Sequence, residues 1–176
     1  MQIRAATHLE QDNIQSVYLS AFGEDERDVV AQLAVDLLSE DTVPPTLSWV
    51  AESDDSVVGH VAFSPVTFEN HGKLQGYILS PLAVQPEFQK RRVGSNLIRR
   101  GIQELSQAGV DMLFVYGDPN YYGRFGFLAE TAEGCKPPYT LAYPFGWQGL
   151  ILSDVDAASL STGITCVASL SKPTLW

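Results

Sequence analysis

The stretch LSPLAVQPEFQKRRVGSNLIRR, residues 79–100, decides how the chain is read. Its first half, within GYILSPLAV (76–84), has the apolar character of a strand. Its second half opens a helix that places Leu97, Ile98, Ile102 and Leu105 at helical spacing. Between them lies a polar loop with three consecutive basic residues, Lys90, Arg91 and Arg92. A helix that starts near Gly94 presents free N–H donors and the positive end of its dipole. Gly94 permits close backbone approach and Ser95 adds a hydroxyl, so the junction suits a pyrophosphate. Basic residues oppose the dipole in a first turn, and an anion removes that conflict. Neither a GxxxxGK[ST] loop nor a GxGxxG fingerprint is present. Pro81 cannot donate to a ladder, which points to an edge, a bulge or a break in that strand.

Upstream, IRAAT (3–7) reads as a strand, and Thr7 with Glu10 forms a capping box. Ile14, Val17, Tyr18, Ala21 and Phe22 then mark one helical face. Val29, Val30, Leu33, Ala34, Leu37 and Leu38 mark a second, ending near Ser39. LSWVAES (47–53), an Asp54-Asp55 turn and SVVGHVAFSPVTF (56–68) predict a β-hairpin. Downstream, DMLFVYGD (111–118) has the continuous apolar character of a buried central strand. PNYYGRFGF (119–127) is a short aromatic helix or turn, and QGLILSD (148–154) is a last strand. The tail SLSKPTLW carries no readable signal.

The motif order matches a family. Val84-Gln85-Pro86-Glu87-Phe88-Gln89-Lys90-Arg91-Arg92-Val93-Gly94 resembles the acetyl-CoA loop of the GNAT N-acetyltransferases. Tyr122-Gly123-Arg124-Phe125-Gly126-Phe127 resembles their second motif, a tyrosine four residues before a Gly-Phe pair. The wording is similar to the bacterial YhbS type, over about residues 1–130. The resemblance implies an α/β fold, a GNAT-like mixed central sheet with splayed central parallel strands. It implies about six or seven strands and about four flanking helices. The expected layout is one domain over 1–155, with 156–176 as its tail or edge element.

The resemblance also implies acetyl transfer from acetyl-CoA, as co-substrate, to a primary amine by direct attack in a ternary complex. Backbone amides of Leu82, Ala83 and Val84 would meet the thioester and pantetheine. Gln89, Lys90, Arg91, Arg92, Val93, Gly94 and Ser95 would hold the pyrophosphate. Tyr122 would be the general acid, since a phenol is protonated at neutral pH and can reprotonate the leaving thiolate. Tyr121 beside it is the structural alternative, and both tyrosines could serve packing with Phe125 and Phe127. For the base, Glu24, Asp25, Glu26, Glu69, His60 and His71 are all candidates, and the sequence does not choose. Two positions depart from the family pattern. Arg92 stands where a loop glycine is usual, and Tyr116 where many members have an asparagine. Those departures motivate an alternative, an acyl-CoA-binding sensor with little turnover. The aromatic segment 139–147 motivates another, a longer acyl chain.

The net charge of −10 is concentrated in one third of the chain. Residues 1–55 contain twelve Asp/Glu against two Lys/Arg, while residues 56–176 contain nine of each. Such a field repels nucleic acid and favours a cationic acceptor. Scattered histidines and two cysteines 31 residues apart offer no metal-ligand spacing, so no metal is expected. A reducing compartment, no signal segment and no membrane span point to a cytoplasmic protein, with a homodimer as a further expectation.

Overall fold

Segments of extended and of 3.6-residue patterning become eight strands and five α-helices in the computed structural model, which describes all residues from Met1 to Trp176. The chain runs through β1 (Gln2–Ala5), α1 (Gln11–Ala21), α2 (Arg27–Ser39), β2 (Leu47–Ser53), β3 (Ser56–Phe68) and β4 (Gly76–Val84). It continues through α3 (Val93–Gln107), β5 (Met112–Tyr116), α4 (Pro119–Tyr122), α5 (Ala129–Ala132), β6 (Cys135–Lys136), β7 (Trp147–Ile151) and β8 (Thr162–Cys166). The strand order is β1-β2-β3-β4-β5-β7, with β8 pairing both β3 and β6. The β4–β5 pair is parallel, from Gly76↔Met112 to Leu79↔Val115. Pro81 is therefore not on an edge strand: β4 lies between β3 and β5 and continues through a cis Ser80–Pro81 bond.

Two compact units make up the chain: Met1–Phe63 with Ser80–Gly101, and Ser64–Leu79 with Ile102–Trp176. In the first, the Thr7 N–H donates to Glu10 Oε2 at 2.8 Å, as the capping box requires. Arg4 closes the same corner, donating to Glu10 and to Glu52 across the β1–β2 pair. These hydrogen bonds hold the Glu10 carboxyl down to about 2, against the usual carboxylate range. Ile14, Val17 and Tyr18 of α1 and Ala31 and Ala34 of α2 form a core with Val50, Val57 and Ala83 of the strands. Val29 is not part of the buried face, with 51% of its surface exposed. The predicted Asp54-Asp55 turn has φ of 50° and 60°, the left-handed pair of a tight hairpin. Helix α3 sits close on β3, because a Cβ at Gly101 would lie 2.0 Å from the Phe63 ring.

In the second unit the buried strand β5 pairs with β7 from Met112↔Ile151 to Tyr116↔Trp147. Phe114 stacks on Trp147 at 5.2 Å. Trp176 packs on Tyr116 and Trp147, and its Nε1 donates to the Leu170 carbonyl at 3.0 Å. The tail that carries no sequence signal is thus tied down by an aromatic cluster. Three short elements, α5, β6 and β8, have no counterpart in the sequence reading. Strand β6 has two residues and α5 has four, too few to show a period.

Candidate active site

The loop after β4 is shaped by its backbone. The parallel register with β5 ends at Leu79, so Ser80–Val84 lie beyond it. Ala83 is buried against the α1–α2 core, while Leu82 and Val84 are half-buried. The Gln85 N–H donates to the Val58 carbonyl at 2.9 Å and pins the strand end. A 3-10 turn, Pro86–Phe88, follows. The Gln89 side chain turns back, its Nε2 donating to the Val84 carbonyl at 3.0 Å. That side chain is therefore engaged with the strand end rather than extended from the loop.

Lys90 and Arg92 both have left-handed backbones, with φ of 61° and 65°. Each such non-glycine residue costs about 1–2 kcal/mol. Arg92 thus adopts a conformation that glycine takes freely. Left-handed residues set between others make successive N–H groups converge into an anion-binding concavity. The Asn96 N–H donates to the Arg92 carbonyl at 2.9 Å, so Arg92 caps α3. The amides of Val93, Gly94 and Ser95 then belong to the first turn, where no intrahelical acceptor exists. Lys90, Arg91 and Arg92 are exposed, and the Arg91 guanidinium lies over the Phe88 ring at 5.6 Å.

Around Tyr122 side-chain packing governs. Asp118 caps α4 by accepting from the Asn120 N–H at 2.9 Å, and Pro119 occupies the first turn. Tyr121 and Tyr122 are adjacent but differently placed. Arg124 covers the Tyr121 ring at 4.5 Å and donates from Nε to its carbonyl. Tyr122 sits edge-on to Phe127 at 6.0 Å and against Gly117, where a Cβ would lie 2.5 Å from its ring. Gly126 turns the chain with φ of 94°, a conformation that favours glycine. Burial, and secondarily the Tyr121 phenol, push the Tyr122 hydroxyl above its usual value. The phenol stays protonated at any physiological pH. The Gly117-Asp118-Pro119 cap was a signal available in the sequence and not used there; the space that Gly117 leaves for Tyr122 was not.

The candidate bases separate by environment. Glu24, Asp25 and Glu26 are exposed between α1 and α2. Glu69 is exposed beside Gly163, and His71 is half-buried in the β3–β4 turn. His60 is fully buried, with Nδ1 2.8 Å from the Tyr18 hydroxyl and Nε2 2.7 Å from Ser48 Oγ. Desolvation pushes its imidazole down to about 3. Both ring nitrogens are engaged, so His60 is a core residue and not a base for an incoming substrate. Tyr116 accepts from the Tyr143 N–H at 2.9 Å, tying the 139–147 segment to β5. Burial raises the Cys135 thiol to about 11 and the Cys166 thiol to about 12, so neither is a nucleophile at neutral pH. No group of His, Cys, Asp and Glu side chains is placed to hold a metal ion. No helix is long and apolar enough to cross a membrane.

The loop and the tyrosine turn are the stretches that resemble the GNAT acetyltransferases, and comparison with known proteins shows that family. Residues 8–127 match the acetyltransferase (GNAT) family. The chain is 38% identical over 135 residues to an uncharacterised N-acetyltransferase, YjhQ, of Escherichia coli K12, covering 75% of this chain and 70% of the relative. The GNAT family N-acetyltransferase YhbS of Escherichia coli, solved in complex with CoA, superposes with a TM-score of 0.84 at 25% identity, over 97% of this chain and 92% of that one. A GNAT family acetyltransferase from Brucella melitensis, solved with acetyl-CoA, gives a TM-score of 0.72 at 28% identity, over 96% of both chains. This protein belongs to the GNAT acetyltransferase family.

Proposed function

We propose that the protein transfers the acetyl group of acetyl-CoA to a primary amine by direct attack. The observation that carries the reading is the left-handed backbone at Lys90 and Arg92 leading into the first turn of α3. It supports a pyrophosphate seat made of amides, with the exposed Lys90, Arg91 and Arg92 side chains adding positive charge. The CoA and acetyl-CoA complexes of the YhbS and Brucella relatives support the same ligand for this chain. Leu82–Val84, beyond the β4–β5 register, supply amides suited to the pantetheine and to the oxyanion.

In the reaction the neutral amine attacks the thioester carbonyl. Collapse of the tetrahedral intermediate breaks the C–S bond and leaves the C–N bond. The departing CoA sulfur takes its proton from the Tyr122 hydroxyl as the C–S bond breaks, and the proton lost by the amine returns through solvent to the phenolate. Burial keeps the Tyr122 phenol protonated at neutral pH, so it holds the proton that the leaving sulfur needs. Calorimetric titration with acetyl-CoA, followed by an amine screen read by CoA release, tests the reading. Saturable binding with turnover on an amine supports acetyl transfer. Binding with no turnover on any amine would leave a sensor, and no binding would leave only a fold.

A further inference from the structure

Gln148 is the second residue of β7, opposite Val115 of β5, and only 1% of its surface is exposed. An amide buried this far is costly unless it is hydrogen-bonded, and an apolar side chain would fill the same space without that cost. Its Nε2 lies 3.2 Å from the Gly117 carbonyl oxygen and 3.2 Å from the Gly146 carbonyl oxygen. Two acceptors converge on one end of the amide, so that end is the NH2 group, and each of its protons has a carbonyl to donate to.

Both carbonyls belong to the seat of the Tyr122 ring. The Gly117 N–H donates to the Gly146 carbonyl at 3.0 Å, so Gly117 is tied to the start of β7 through its N–H and, by way of Gln148, through its carbonyl. A Cβ on Gly117 would lie 2.5 Å from Tyr122 Cε2, which means that the ring rests directly on the Gly117 backbone. The Gly117 carbonyl also shares one rigid peptide unit with the Asp118 N–H. Asp118 in turn carries α4: its carbonyl accepts from the Tyr121 and Tyr122 N–H groups, each at 3.0 Å. Gln148 therefore grips the peptide from which the tyrosine turn hangs.

We propose that Gln148 is the positioning residue for Tyr122: by joining the Gly117 and Gly146 carbonyls it fixes the floor under the phenol ring and the start of α4. It acts through Tyr122, so the inference rests on the role proposed for that phenol in the reaction.

Nuclear magnetic resonance of the ¹³C,¹⁵N-labelled protein tests the placement without any acceptor amine. Gln148→Met keeps the length of the side chain and removes both donors. It should weaken the Overhauser contacts between the Tyr122 ring and the Gly117 Hα protons. It should also move the Tyr122 ring signals, which the edge-on rings of Tyr121 and Phe127 make sensitive to position. The ring signals of Tyr77, in the same unit, should stay in place. In turnover, read as CoA release, kcat should fall about tenfold with acetyl-CoA affinity within about twofold, and the loss should vanish in a Tyr122→Phe background. Unmoved Tyr122 signals, an equal movement of Tyr77, or the same loss of kcat with and without the Tyr122 hydroxyl overturns the inference. If Gln148→Met does not fold, the wild type decides: both Gln148 Nε2 protons should exchange slowly with solvent, and fast exchange overturns the inference. Equal kcat in wild type and Tyr122→Phe is a different failure: it removes the reading of Tyr122 as the acid, and the positioning role with it, even where the ring signals move.

Discussion

The loop Gln85–Ser95 and the turn Gly117–Phe127, to which the proposed reaction assigns cofactor binding and proton transfer, are built on opposite principles. The loop is a backbone object. Its shape comes from left-handed residues at Lys90 and Arg92, the Gln85 N–H bond to Val58 and the open first turn of α3. Its charged side chains are exposed. The turn is a side-chain object, in which a half-buried phenol is set by the gap at Gly117 and by the edge of Phe127. A backbone site should tolerate changes of side chain and lose affinity in modest steps. A site that depends on one phenol should fail abruptly when that hydroxyl goes.

The sharpest way to break this contrast is Tyr122→Phe. The ring packing survives and the proton is lost, so kcat should fall by about 100-fold or more. Calorimetric affinity for acetyl-CoA should stay within about twofold, since a group acting only in the transition state leaves ground-state binding alone. Equal kcat in wild type and variant would remove Tyr122 from the chemistry. Next in size is Lys90→Ala with Arg91→Ala. Loss of two exposed cations should weaken acetyl-CoA about tenfold at low salt, with the difference shrinking as salt rises. An unchanged dissociation constant would assign the whole seat to backbone amides.

Gly117→Ala sharpens the other side. A methyl group 2.5 Å from the Tyr122 ring must displace it. Overpacking of this kind costs about 1–3 kcal/mol, and kcat should drop without loss of acetyl-CoA affinity. A variant with wild-type kcat and Tm would show that the turn has slack. The smallest effect belongs to Arg92→Gly. Relief of the left-handed arginine should offset the entropy of the added glycine, and Tm should rise by about 2–4 °C for each kcal/mol recovered. A fall in Tm would mean that the guanidinium makes contacts worth more than the strain.

Legibility in the sequence followed the range of the interaction. The capping box at Thr7, the Asp54-Asp55 turn and the helix starting at Val93 were all predictable, because each depends on neighbours a few residues away. Val29 was misplaced because the same apolar spacing allows more than one face to turn inward, and contact with the strands selects between them. Pro81 read as a mark of an edge, a bulge or a break; β4 is a central strand, and its pairing with β5 ends at Leu79, before Pro81. His60 was open as a base until Tyr18 and Ser48, from α1 and β2, closed on its two nitrogens.

By itself the sequence determined the class of protein: a strand, a basic loop and a helix in 79–100, and a tyrosine turn at the right separation. Both signals are local, so chain order suffices to reveal them. Tertiary structure alone decided the surroundings of each group. It placed Arg92 in the backbone conformation of a glycine, set Tyr121 under Arg124 and Tyr122 against Phe127, withdrew His60 into the core and anchored Trp176 on Tyr116 and Trp147. The last two depend on partners far away in the chain, and a proton's availability is set by burial and partners that only the folded chain brings together.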